Sequence, residues 1–265
     1  MIGLDPQTLG MLCAIAAIGG CVDAIGGGGG LLTVPALLLA GLDPVSAIAT
    51  NKAQGAAGAL SSALAFARAR LVDWRTAAPV ALAAGAASIF GALSVTLVNR
   101  RALEALAPAL LVAIALYFLL APRLAEEDAQ ARVPPALFAS LIAPLVGFYD
   151  GVFGPGAGSF YMIGFVSLLG YGVLRATAHT KIANAASNFG ALGLYAATGA
   201  VVWPVGVAMA VCAFIGAQIG ARLAMRLGAR LIRPLLVIVA CAMAIKLLAD
   251  PTNPLRQLVQ SLLAG

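Results

Sequence analysis

Eight apolar runs constrain this chain more than any other feature. They lie near residues 8–26, 46–67, 76–98, 102–121, 136–150, 176–199, 204–225 and 231–249. A helix that crosses a bilayer needs roughly 20 predominantly apolar residues, and most of these runs approach or exceed that length. The chain is 62% hydrophobic and 10% charged, whereas soluble domains average about 25% charged residues. That leaves too little polar surface to cover a water-soluble fold. In hydrocarbon every backbone N–H and C=O must be paired within its own segment or barrel. Runs of this length therefore predict an all-α membrane protein of about eight transmembrane helices, with the lipid bilayer as its first partner. The formal net charge of +6 is not a nucleic-acid footprint, because the arginines fall in short clusters between apolar runs, as in membrane-protein loops. Cys13, Cys21, Cys212 and Cys241 lie inside apolar runs without a C-x-x-C spacing. They read as small buried hydrophobes, and no metal or other cofactor is expected. The first run has no basic segment ahead of it, so no cleavable leader is expected.

Two further apolar stretches, 31–41 and 159–170, are too short to span. Each follows a glycine cluster, DAIGGGGG from Asp23 and DGVFGPGAG from Asp150. Glycine costs about 1 kcal/mol relative to alanine inside a helix, so five in a row should break one. Each short stretch is expected to be the second half of a discontinuous helix whose break faces the protein interior. Thr33 is a candidate cap for the first, with Pro35 in its first turn.

The two halves answer each other. Asp23 and Asp150, Gly27 and Gly154, and Gly29 and Gly156 are each 127 positions apart. Lys52 and Lys181, Trp74 and Trp203, Gly91 and Gly220, and Pro122 and Pro251 are each 129 apart. This spacing predicts two homologous four-helix repeats, residues 1–122 and 136–265, joined by a charged linker at 123–135. Each repeat carries one glycine-broken helix. Four crossings per repeat would make the repeats parallel, related by an axis along the membrane normal. Arg222, Arg226, Arg230 and Arg233, with Arg100 and Arg101 in the matching loop, would then be cytoplasmic. Arg68, Arg70 and Arg75 contradict that count, because it places them outside. A miscounted re-entrant segment would invert the repeats.

A helix that begins in mid-membrane points unpaired N–H groups and a partial positive charge into the protein. Glycine lets a ligand approach that backbone closely, and such a start is an anion site. The alternative is that the glycines serve close helix packing. Lys52 and Lys181 stand beside threonines near the starts of matching helices, in ATNKAQ and HTKIAN. They either face the anion or snorkel to headgroups. Asn51, Gln54 and Ser61 add polar groups in the first half. Thr180, Asn184, Ser187 and Asn188 share one helix face in the second. Asp23 and Asp150 either pair with the lysines, cap backbone N–H groups, or carry a coupling proton or sodium ion. His179 is either a proton relay or an interfacial residue. Tyr149 and Tyr161 flank the second break, and Trp74 and Trp203 sit where interfacial belts place tryptophan.

The glycine run followed by VPALLLAGLDPVSAIATNK, then DGVFGPGAGSFY and HTKIANAASNFGALGLY, resembles the paired signatures of the TauE/SafE sulfite exporters across residues 7–250. The resemblance implies a bacterial inner-membrane, multi-pass transporter of sulfite or an organosulfur anion such as sulfoacetate or a sulfonate. It assigns Gly27, Gly28, Gly29, Gly30, Thr50, Asn51 and Lys52 to the first signature. Gly154, Gly156, Gly158, Thr180, Lys181, Asn184 and Asn188 belong to the second. Asn51 departs from the serine that such proteins often carry. Gln54 joins the substrate-binding candidates, and Asp23, Asp150 and His179 are the coupling candidates. The expected partner is a small anion, with a proton or sodium ion as coupling ion; the oligomeric state is open. The alternatives are an anion channel, which needs a continuous pore and no coupled acid, and a transporter of another small oxyanion. An enzyme is not expected: there is one histidine and no H-E-x-x-H or G-x-S-x-G.

Overall fold

The computed structural model describes residues 5–95 and 127–228, with positions 234 and 238. The expected run at 102–121, that at 231–249 apart from positions 234 and 238, and Arg100, Arg101, Arg230, Arg233, Pro122, Pro251 and Cys241 lie outside the described residues. Among the described residues there are eight helices: α1 (Pro6–Gly26), α2 (Gly30–Leu39), α3 (Pro44–Arg68), α4 (Trp74–Ser94), α5 (Pro135–Val152), α6 (Ala157–Ser167), α7 (Val173–Ala197) and α8 (Trp203–Leu227). Helices α1, α4, α5 and α8 are long and apolar enough to cross a membrane. Their starts follow local chemistry. The carboxylates of Asp5, Asp43 and Asp73 cap α1, α3 and α4 by accepting the N–H groups of Thr8, Ser46 and Arg75 at 2.7, 3.1 and 3.0 Å. Pro6 and Pro44 then occupy first-turn positions where no N–H is missed. A π-helical turn at Phe138–Ile142 interrupts α5; no sequence signal anticipated it.

The short helices are not the far halves of broken crossings. Gly27 and Gly28 hold φ of 80° and 100°, and Gly154 and Gly156 hold 95° and 88°. These left-handed values turn the chain back on itself. Leu37 of α2 packs with Leu12 and Ala16 of α1, so α2 returns beside the helix it follows. In the same way the ring of Phe165, late in α6, lies 4.8 Å from that of Phe138, early in α5. Each glycine cluster is therefore the tip of a re-entrant hairpin. Thr33 is not the cap of α2, whose cap residue is Gly29; its hydroxyl instead donates to Asn51 Oδ1.

This correction changes the symmetry. Helices α3 and α7, which carry the matched lysines, pack antiparallel at the centre. Ala65 and Phe66 meet Val173 and Ala178 at one end, and Ala49 and Ala53 meet Ala191 and Tyr195 at the other. Matched helices that run antiparallel fit an axis in the membrane plane, the inverted one of the two relations left open by the sequence. Around this pair, α8 packs on α3 and α1, while α4 packs on α7 and α5. The contacts are reciprocal. A methyl on Gly20 would overlap the Ala213 carbonyl, and one on Gly147 would overlap the Ala84 carbonyl. Gly91 and Gly220 meet the carbonyls of Phe148 and Cys21 in the same exchanged sense. At these positions the absence of a side chain lets two backbones touch.

With the hairpins counted as returns, Arg68, Arg70 and Arg75 fall at the same end as Arg222 and Arg226. Arg68, Arg70, Arg75, Arg132, Arg175, Arg222 and Arg226 all gather at one end of the bundle. Arg175 bridges Asp73 and Asp128 there, the Arg132 N–H bonds the Leu168 carbonyl at 2.8 Å, and Ala224 packs with Phe66 near the end of α3.

Candidate anion-binding site

The two hairpins enter from opposite ends and meet tip to tip. A Cβ on Gly27 would lie 2.8 Å from the Ser159 nitrogen, and one on Gly30 would lie 3.6 Å from the Pro155 Cα. Between the tips is a polar cavity. Gly28, Gly29, Gly30, Asn51 and Gln54 line it from the first half, and Gly154, Gly156, Gly158, Asn184 and Asn188 from the second. Asp23 and Asp150 also face it. The N–H groups of Gly30 and Gly158, in the first turns of α2 and α6, have no protein acceptor among the described residues. A helix start leaves such donors free, with a partial positive charge behind them.

Behind this wall lie the lysines. Lys52 and Lys181 are 0% exposed, and neither lines the cavity. Each crosses to the other half and closes the last turn of the hairpin's long helix. Lys52 Nζ donates to the Asp150 backbone carbonyl and, at 2.7 Å, to its carboxylate. Lys181 Nζ donates to the Asp23 carbonyl and, at 3.2 Å, to its carboxylate. An ammonium at a helix C-terminus satisfies orphan carbonyls and opposes the negative end of the dipole. Of the open alternatives, the geometry contains pairing of lysine with aspartate and, at Asp23, capping of the Gly29 N–H at 3.2 Å.

The remaining candidates divide. Asn51 Oδ1 accepts from Thr33 Oγ1 at 2.5 Å and from Gln54 Nε2 at 2.9 Å, so this amide is held by its neighbours. Asn188 Nδ2 donates to the Asn184 carbonyl at 2.7 Å. Gly27 stands at the hairpin tip, outside the lining. Thr50 Oγ1 accepts the Val202 N–H at 3.0 Å, at one end of the bundle. Thr180 Oγ1 is buried without a partner among the described residues and does not line the cavity. His179 lies at the arginine-rich end. Its Nε2 accepts the Asp73 N–H at 3.1 Å and its Nδ1 faces the Arg175 carbonyl at 2.9 Å. It belongs to a latch between loops and not to the cavity. Tyr149 and Tyr161 donate to the Pro155 and Ala143 carbonyls at 2.7 and 3.5 Å, and Trp74 and Trp203 are exposed at helix starts. Ser61 donates to the Phe214 carbonyl at 2.7 Å.

Sequence reasoning missed Gly19, Gly20, Gly55, Gly58 and Ala157, which also line the cavity. A usable signal existed: Gly55 and Gly58 stand 129 positions before Asn184 and Ser187. Small residues on α3 thus make the room that polar residues on α7 fill. A Cβ at Gly55 would sit 2.8 Å from Asn188 Oδ1 and displace that amide.

Hydrophobic helices enclosing hairpins around a polar cavity are the architecture of a membrane transport protein. The sulfite exporter TauE/SafE family matches residues 12–247, and the chain belongs to that family. It is 52% identical over 248 residues to probable membrane transporter protein ORF9 of Sinorhizobium sp, covering 94% of this chain and 95% of that one. It is 45% identical over 247 residues to probable membrane transporter protein YfcA of Escherichia coli K12, covering 93% and 92%. A probable membrane transporter protein of Haemophilus influenzae is 39% identical over 249 residues, covering 94% and 97%. No solved structure matches the chain.

Proposed function

We propose that this chain is a secondary transporter of the bacterial inner membrane that moves sulfite or a small organosulfur anion through the cavity between the hairpin tips. The observation that carries this reading is the pair of helix starts, at Gly30 and Gly158, whose free N–H groups share one cavity with the Asn51 and Asn184 side chains. A small oxyanion offers several acceptor oxygens to such donors. The site is built from backbone and amide donors, and the lysines support it from behind by fixing the helices that carry the glycines.

The reciprocal contacts support two inverted repeats, with alternating access as a rocking of one against the other around the fixed cavity. The gathering of arginines at one end supports a cytoplasmic location for that end. It likewise supports a periplasmic mouth for the α1–α2 hairpin.

A thermal-shift screen of the purified full chain against sulfite, sulfate, thiosulfate, sulfoacetate and taurine tests the reading. Stabilisation by sulfite or an organosulfur anion, and not by sulfate at equal ionic strength, is the expected result. No shift with any of the five would overturn it, and stabilisation by sulfate alone would assign the site to another oxyanion.

A further inference from the structure

The ionised side chains around the cavity cancel, Lys52 against Asp150 and Lys181 against Asp23. An arriving anion therefore adds an unbalanced charge, which helix N-termini offset only in part. We propose that Asp23 takes up one proton with each anion, so that the site binds the two together. This rests on the anion reading above and names its coupling group.

The two aspartates are matched in sequence but not in surroundings. Asp150 is 2% exposed and held on both oxygens: Oδ1 by Lys52 at 2.7 Å, Oδ2 by the Ser187 hydroxyl and by Asn188 Nδ2 at 3.4 Å. Asp23 is 19% exposed and has two longer bonds, 3.2 Å from Lys181 and 3.2 Å from the Gly29 N–H. The positions that match Ser187 and Asn188 by the 129-residue offset are Gly58 and Ala59. The hydroxyl and amide that bond Asp150 thus have no counterparts at Asp23, and Gly58 leaves that side open to the cavity.

Asp23 also sits where an anion would. Its carboxylate accepts the N–H of Gly29, the cap residue of α2. It is the resident anion at that helix start, and a second oxyanion in the cavity is repelled by it. A proton on Asp23 removes the repulsion and releases the Gly29 N–H to the incoming oxygens. The charged groups that face Asp23 are Lys181 from α7 and, across the cavity, Asp150 with its partner Lys52. Helix α2 carries no ionisable side chain, α6 carries Tyr161, and α8 meets α1 through Ala213, Gly216 and Gly220. The proton comes from cavity water, forms an O–H bond on the carboxylate, and returns to water when the anion leaves.

The test is calorimetric titration of the purified full chain with methanesulfonate and thiosulfate, which hold a fixed charge across neutral pH. It is run in buffers of different ionisation enthalpy. Coupled uptake of one proton makes anion affinity fall about tenfold per pH unit on the alkaline side, with one proton absorbed per anion. Asp23→Asn should bind without pH dependence and without proton uptake. Gly58→Ser is a second variant: a Cβ there meets the nearest atom, Ala213 Cβ, at 3.7 Å, so the side chain fits. Its hydroxyl should hold Asp23 ionised and move the pH dependence to lower pH. Proton uptake undiminished in Asp23→Asn, or a wild-type affinity flat with pH, would overturn the coupling while leaving the anion site standing. If neither probe nor sulfite binds the wild type, the anion reading fails, and the coupling with it.

Discussion

Lys52, from α3 in the first half, closes the last turn of α5 in the second by bonding both the backbone carbonyl and the carboxylate of Asp150. The pair is buried on both sides. Breaking one side of such a pair leaves an uncompensated buried charge and costs about 3–5 kcal/mol. Lys52→Met should therefore sharply lower the amount of folded protein extracted from the membrane. Lys52→Met combined with Asp150→Asn should recover most of it, since neither charge is then left alone. Size-exclusion recovery in detergent measures this. A single variant as stable as the wild type would show that the pair does not hold the hairpin.

Gly30 separates ligand binding from folding. A methyl at this position would lie 3.4 Å from Asn51 Nδ2 and 3.6 Å from the Pro155 Cα, so Gly30→Ala should fold. It would also narrow the cavity beside a free N–H. We expect anion affinity to fall at least about tenfold while stability changes by about 1 kcal/mol or less. Gly27→Ala should fail to fold, because φ is 80° there and the new Cβ would sit 2.8 Å from the Ser159 nitrogen. Equal behaviour of the two variants in binding and recovery would contradict this division.

Gly91 and Gly220 should respond alike. In each case a methyl would overlap a carbonyl oxygen of the opposite half, that of Phe148 or Cys21. Overpacking of this kind costs about 1–3 kcal/mol. Gly91→Ala and Gly220→Ala should lower the melting temperature by similar amounts. A large loss in one and none in the other would mean that the two contacts are not equivalent.

Periodicity and glycine content made the helices legible, because apolar length and helix breakers act locally. The expected starts near 46, 76, 136 and 204 lie within two residues of Pro44, Trp74, Pro135 and Trp203. What the glycines do was not legible. A break continues a helix or reverses it according to φ at Gly27, Gly28, Gly154 and Gly156, and composition does not determine φ. That one choice governed crossing number, repeat symmetry and the side on which Arg68, Arg70 and Arg75 fall. The lysines were found as matched residues, but a lysine beside a glycine break can face the ligand or cap a helix. Which it does depends on a partner about a hundred residues or more away, Asp150 for Lys52 and Asp23 for Lys181.

Acid should loosen the arginine-rich end first. Asp128 accepts the Gly172 N–H at 2.7 Å and pairs with Arg175, which also stands 3.9 Å from Asp73 and 4.0 Å from the Tyr171 ring centroid. Partial burial pushes both carboxyls up, but the N–H donors and Arg175 outweigh it and hold them below the ordinary value. A depressed carboxyl stabilises the fold above its unfolded value of about 3.9 and loses that contribution as pH falls through the folded value. Both are partly exposed, so the contribution is at most about 1 kcal/mol each. Trypsin cleavage after Arg132, measured after brief exposures at each pH, should be constant down to about pH 4 and rise below it. Asp128→Asn should cleave faster already at neutral pH, with a flatter acid limb. An unchanged profile would show that the linker is held by other contacts.

The central claim is that a small sulfur oxyanion passes between the tips at Gly30 and Gly158. Counterflow of isotope-labelled sulfite in proteoliposomes tests it most directly. The account predicts saturable accumulation in vesicles preloaded with unlabelled sulfite, competition by an organosulfur anion, and loss of both in Gly30→Ala at equal protein. Linear, unsaturable flux in the wild type, or full counterflow in Gly30→Ala, would contradict it.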